Sequence, residues 1–210
     1  MRVVNLCNTK GGVGKSTLTI NLACAALEDG LSVRIIDLDP QGSVALWSEI
    51  RSSVKSTGTY PPVKTATFGE LKRELRTPES AEADYVFLDT PGGEIEDLAE
   101  AMNLSDLILV PSRTSLMDIQ PAISTLQQAL LQSRTACCVI NFVPRNDEQL
   151  FRSVKQQLEQ VGLLVCPVLI SDEPAFSVAF AKGLSAMEHQ PKGKATEDIR
   201  WLWRYIKGFV

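Results

Sequence analysis

Short apolar runs alternate along this chain with longer stretches in which apolar positions recur every three or four residues. Several runs are nearly continuous, as at Val33-Arg34-Ile35-Ile36, Tyr85-Val86-Phe87-Leu88 and Leu107-Ile108-Leu109-Val110. Runs of that kind suit strands covered on both faces. The pattern predicts strands over 2–7, 32–37, 63–66, 84–89, 106–111, 136–141 and 163–170. It predicts helices near 15–29, 43–52, 68–76, 94–103, 116–132, 147–160, 174–187 and 195–208. Thr67 and Glu70 have capping-box spacing before one helix, and Asn146 with Gln149 has a related spacing before another. Residues 52–62, rich in Ser, Thr, Gly and Pro, read as a surface loop. The alternation predicts an α/β fold: a mostly parallel, twisted sheet of about seven strands with helices on both faces. No repeat, low-complexity tract or internal boundary is visible, so 1–210 reads as a single domain.

In such sheets ligands bind at the carboxyl ends of the strands. Four polar segments fall there. After the first strand comes Asn8-Thr9-Lys10-Gly11-Gly12-Val13-Gly14-Lys15-Ser16-Thr17. A glycine-rich turn between strand and helix is a phosphate cradle, because its N–H groups and the helix N-terminus point at one anion. Lys15 supplies a cation for the β/γ-phosphates and the Ser16 hydroxyl a ligand for Mg2+. The pattern G-x-x-x-x-G-K-[ST] is not fully met: Thr9 stands at its first glycine, and a second lysine, Lys10, precedes Gly11 and Gly12. The other segments are Asp37-Leu38-Asp39-Pro40-Gln41-Gly42, Asp89-Thr90-Pro91-Gly92-Gly93 and Asn141-Phe142-Val143-Pro144-Arg145-Asn146.

An ATP·Mg2+ site needs a cation, a hydroxyl, carboxylates around the metal and a group that positions the attacking water. Asp89, after four apolar residues, has the context of a Walker-B carboxylate. Asp37 and Asp39, two apart on an extended strand, share a face. Asp37 is assigned with Ser16 and Asp89 to the metal. Asp39, at the strand end before Pro40, is assigned to the water. A lone strand-end Asp is most often a turn or helix cap; three beside one phosphate loop favour chemistry. The absence of an N-K-x-D segment disfavours GTP.

Composition narrows the classes. A 44% hydrophobic and 22% charged share is that of an ordinary globular protein. The net charge of −4 means that any nucleic-acid binding needs a local patch. Five cysteines without C-x-x-C spacing read as buried free thiols of a reducing cytosol. A single histidine, His189, argues against a zinc site or a His-based triad. No apolar run reaches the ~18 residues of a membrane span, and the start of the chain reads as a strand.

Lys10-Gly11-Gly12-Val13-Gly14-Lys15-Ser16-Thr17 resembles the deviant Walker A motif of the ParA/MinD group of P-loop ATPases. Asp37-Leu38-Asp39-Pro40-Gln41-Gly42 resembles the switch I of its ParA branch, and Asp89-Thr90-Pro91-Gly92 its Walker B and switch II. Pro111-Ser112-Arg113-Thr114-Ser115-Leu116-Met117-Asp118 resembles the segment that approaches the dimer interface. The likeness is to the small members without an N-terminal helix-turn-helix. It implies that residues 11–17 bind nucleotide and that Lys10 reaches the phosphates held by a partner subunit. ATP is then a dimerisation switch. The resemblance also places adenine contacts after the sixth strand, at Asn141 and Pro144; Asn141 equally suits a strand-end turn.

Three functions follow from different classes. The first is a cytoplasmic, nucleoid-associated ATPase whose ATP-dependent homodimer binds DNA non-specifically and segregates or positions a cargo. A small ParB-like or other adaptor, presenting a basic peptide, would stimulate it. Residues 182–210 hold six basic residues (Lys182, Lys192, Lys194, Arg200, Arg204, Lys207) against three acidic ones (Glu188, Glu197, Asp198). Lys182, Arg200, Arg204 and Lys207 are the DNA candidates, the last three on one helix face. The second, disfavoured, is a MinD-like membrane ATPase anchored by the amphipathic segment 199–210, whose stripe of Ile199, Leu202, Trp203, Ile206 and Val210 equally suits packing. The third is a metabolic P-loop enzyme, which has no use for Lys10.

Overall fold

A computed structural model describes residues 1–54, 60–145 and 147–209. The order is β1 (Arg2–Leu6), α1 (Lys15–Glu28), β2 (Val33–Asp37), α2 (Ser43–Val54), β3 (Val63–Thr65), α3 (Phe68–Glu74), α4 (Pro78–Ala81) and β4 (Tyr85–Asp89). It continues α5 (Ile95–Asn103), β5 (Leu107–Ser112), α6 (Leu116–Leu131), β6 (Ala136–Ile140), α7 (Glu148–Gln160), α8 (Pro174–Ala181), α9 (Ala186–His189) and α10 (Lys194–Ile206). The strands form one parallel sheet in the order β3-β2-β4-β1-β5-β6. Apolar side chains cover both faces, which is why β2, β4 and β5 lack polar alternation. Val4 and Leu6 of β1 pack toward α1 and α10, while Val3 and Cys7 point to the α3–α5–α6 side.

Among the described residues the sheet has six strands rather than seven. Residues 163–170 run parallel beside β6 but touch it in two short stretches. Cys138 N donates to Leu164 O and Cys166 N to Cys138 O; the ladder resumes only where Ile170 N meets Ile140 O. In the gap Val168 N, the next donor due on the β6 side, donates to Cys166 Sγ instead. The helix expected over 174–187 is two helices. Gly183, at φ 62°, breaks it, and a Cβ there would sit 2.5 Å from Arg51 N. The bend lets Arg51 reach Gly183 O and Glu188.

The capping box at Thr67–Glu70 is present. The cap of α7 is Asp147, which accepts from Leu150 N; Asn146 lies outside the described residues. Of the loop expected over 52–62, Ser52–Val54 close α2, and 55–59 lie outside the described residues. All five cysteines are buried free thiols, and burial pushes those of Cys7, Cys24, Cys137 and Cys138 up to about 12.

The stripe of α10 is core. Ile199, Leu202, Trp203 and Ile206 are all buried against α1 and the sheet, so these four are not free for a lipid surface, while Trp201 is half-exposed; Val210 lies outside the described residues. Trp203 meets the Tyr85 ring edge-on at 5.0 Å and donates to Asp29 Oδ2 at 2.8 Å. Trp203→Ala should cost about 3–5 kcal/mol and on the order of 10 °C in Tm, read by thermal melting. A shift under 2 °C, well below that cost, would mean that α10 is not anchored as described. Among the described residues no helix is long and apolar enough to cross a membrane.

Candidate nucleotide site

The loop between β1 and α1 is built around Asn8. Its Oδ1 accepts Lys10 N at 2.9 Å, its Nδ2 donates to Pro111 O at 2.7 Å, and its carbonyl accepts Lys15 Nζ at 3.1 Å. Lys15 Nζ also donates to Lys10 O at 3.0 Å, so the buried ammonium is held at the loop's centre. Burial holds Lys15 below the usual lysine range, against the opposing pull of Asp89. Gly12 and Gly14 adopt φ 74° and 94°. No side chain caps α1 and no acidic residue occupies its first turn, which leaves its N–H groups to an anion.

The loop opens on a cavity of about 1470 Å3 walled by Thr9, Gly11, Gly12, Gly14, Lys15, Ser16 and Thr17 together with Asp37 and Asp39. Lys10 is not in that wall. Its ammonium joins no hydrogen bond or ion pair among the described residues. The loop after β4 packs directly on the cradle: Gly93 N donates to Thr9 O at 3.0 Å, and a Cβ on Gly92 would lie 3.0 Å from Gly11 N.

The three carboxylates differ in their surroundings. Asp89 is fully buried; its Oδ1 lies 3.2 Å from Thr19 Oγ1, while its Oδ2 has no partner. Burial pushes its carboxyl up to about 7, with Asp37 adding to the rise and the nearby Ser16 and Thr19 hydroxyls opposing it. Asp37 accepts Asp39 N and Ala45 N, one on each oxygen, at 3.1 and 3.0 Å, and burial raises it as well. Asp39 is half-buried and folds a turn by accepting Gln41 N at 2.9 Å. An orphaned carboxylate oxygen beside a second carboxylate and the Ser16 hydroxyl is an all-oxygen donor set, which suits Mg2+. Ser16, Asp37 and Asp89 would hold the ion.

Asn141 and Pro144 stand elsewhere. Asn141 is buried and spends its amide on Val13 O, at 2.8 Å; Pro144 is exposed beyond the cavity wall. The residue of that loop in the wall is Phe142. Asn8 and Phe142 lie in the polar segments at the strand ends, but their sequence context, like that of Thr19, assigned them no role. Asn8 carried a signal, a short polar side chain at a strand end beside glycines.

Two of the four DNA candidates are paired. Arg200 forms a fork with Glu28, at 3.1 Å, and Lys207 pairs with Asp29. Arg204 lies over Trp201, 4.9 Å from its centroid, and makes no ion pair among the described residues; Lys182 caps α8.

A glycine-rich cradle, a buried lysine and strand-end carboxylates at the carboxyl edge of a parallel sheet define a P-loop nucleotide-binding protein. The family model of the CobQ/CobB/MinD/ParA nucleotide binding domain matches residues 4–186, and the chain belongs to that family, whose ParA and MinD branches are positioning ATPases. It is 31% identical over 205 residues to maintenance of carboxysome distribution protein A of Gloeobacter kilaueensis, covering 95% of this chain and 91% of that protein. It is 52% identical over 187 residues to the uncharacterized protein Rv1708 of Mycobacterium tuberculosis, covering 89% of this chain and 44% of that one. In fold it is similar to the septum site-determining protein MinD of Pyrococcus horikoshii, solved with Mg-ADP. The TM-score is 0.78 at 14% identity, over 98% of this chain and 95% of that one.

Proposed function

We propose that the protein is an ATPase that dimerises around ATP, binds DNA non-specifically in that state and positions or segregates a cargo. Lys10 carries the reading. A lysine next to a phosphate cradle, outside its wall and without an anionic partner, is placed to meet charge that arrives from another molecule. Residues 11–17 bind the phosphates, Lys15 from within; Ser16, Asp37 and Asp89 hold Mg2+; Asp39 orients water. Bound Mg2+ would neutralise charge on the β/γ-phosphates. Loss of the γ-phosphate removes what Lys10 holds, so the dimer lasts only as long as ATP does. Basal turnover is slow, and a small adaptor with a basic peptide accelerates it. Relatives named for ParA and for carboxysome distribution support the positioning role.

The test is ATP-dependent co-sedimentation with DNA and with anionic liposomes. Retention on DNA with ATP, and on neither with ADP, is expected; binding only to liposomes would replace this reading with a membrane one. Arg204 is the α10 candidate that forms no ion pair among the described residues. Arg204→Ala should weaken DNA retention and lower the slope of log affinity against log salt by about one. An unchanged slope would move the DNA contact off α10.

A further inference from the structure

Phe142 has φ 54°, a left-handed backbone that it shares, among non-glycine residues described, only with Ser133. A bulky side chain there is strained, and strain of this kind persists where the surroundings hold it for a purpose. The ring lies in the wall of the nucleotide cavity; beside a Cβ on Gly14 the Asn141 amide would be nearest, and the ring's Cε2 next at 3.0 Å. Over the ring lies the Arg113 guanidinium, 4.3 Å from the centroid. That guanidinium makes no hydrogen bond or ion pair among the described residues. Hydrogen bonds tie the same layer together: Asn141 N donates to Ser112 O at 2.8 Å, Phe142 N to Asn141 Oδ1 at 2.9 Å, and Asn141 Nδ2 to Val13 O at 2.8 Å. The ends of β5 and β6 thus grip the last turn of the phosphate loop.

We propose that Arg113 and Phe142 are positioning residues for the phosphate loop. Arg113 steadies the ring, and the ring confines Gly14 to the left-handed turn that aims the start of α1 at the phosphates. The inference rests on the nucleotide-binding reading. Its physics is preorganisation: a loop freed of the ring spends less time in the binding shape, and the dissociation constant rises by the lost fraction. The penalty falls on every ligand that uses the phosphates, whatever base it carries.

Phe142→Gly separates function from folding, because glycine accepts φ 54° without strain. Titration calorimetry with ATP, ADP and inorganic tripolyphosphate, each with Mg2+, reads the effect. Phe142→Gly should melt at or above the wild-type temperature and bind all three ligands about tenfold more weakly. KM should rise by the same factor while kcat at saturating ATP falls no more than about twofold. Phe142→Tyr should restore affinity to within about twofold, and Arg113→Ala should weaken all three ligands about threefold. Unchanged dissociation constants would overturn the proposal. So would a loss confined to ATP and ADP, which would assign the ring to the base. A wild-type protein that binds none of the three would instead overturn the nucleotide reading itself.

Discussion

Asp39→Ala should trap the protein as an ATP-bound dimer, with turnover lowered by about 10²–10⁴-fold, the usual contribution of a positioned acid–base group. Asp39 stands just past β2, half-buried in the cavity wall. One oxygen is used on Gln41 N, and the other has no partner among the described residues. It holds no phosphate, and Asp37 keeps its own contacts to Ala45 N when Asp39 loses its side chain. The substitution removes one turn hydrogen bond, worth about 0.5–1.5 kcal/mol of stability, so thermal melting should change little. Single-turnover phosphate release separates the two effects. Undiminished release would defeat the assignment of Asp39 to the water.

Lys10→Ala should lose the ATP-dependent dimer while leaving nucleotide binding by the monomer nearly intact. The local structure permits so clean a separation. Lys10 contributes to the loop through its backbone alone, its N–H to Asn8 Oδ1 and its carbonyl to Lys15 Nζ, and alanine keeps both. Only the ammonium goes. A hydrogen-bonded charge buried at an interface and then removed costs about 2–5 kcal/mol, a weakening of thirty-fold or more in the dimer. Sedimentation velocity at saturating ATP, beside calorimetry of ATP binding, measures both quantities. A Lys10→Ala protein that dimerises normally with ATP would mean that the lysine is an ordinary exposed loop residue.

The site was legible where local spacing alone fixes a role. Lys15, Ser16 and the glycines before them lie on consecutive residues that must turn and start a helix, and the turn and the helix start fall there. Strands β1, β2, β4, β5 and β6 were legible because burial on both faces leaves a near-continuous apolar run. What was missed depends on residues distant in sequence. The run 163–170 looks like a strand, but its ladder to β6 is interrupted where Val168 N turns to Cys166 Sγ. Gly183 was a visible breaker, but its necessity comes from Arg51, 132 residues away. The basic face of α10 looked free because its carboxylates, Glu28 and Asp29, lie at the far end of α1. Phe142 gave no signal, since aromatic residues rarely adopt a positive φ and nothing beside it in sequence names Arg113 as its support.

The central claim is that ATP, and not ADP, joins two copies of this chain. Sedimentation velocity of the wild-type protein with Mg2+ and either ATP, ADP or no nucleotide measures it directly. A dimer with ATP alone and a monomer in the other two are expected. The same mass under all three conditions would contradict it.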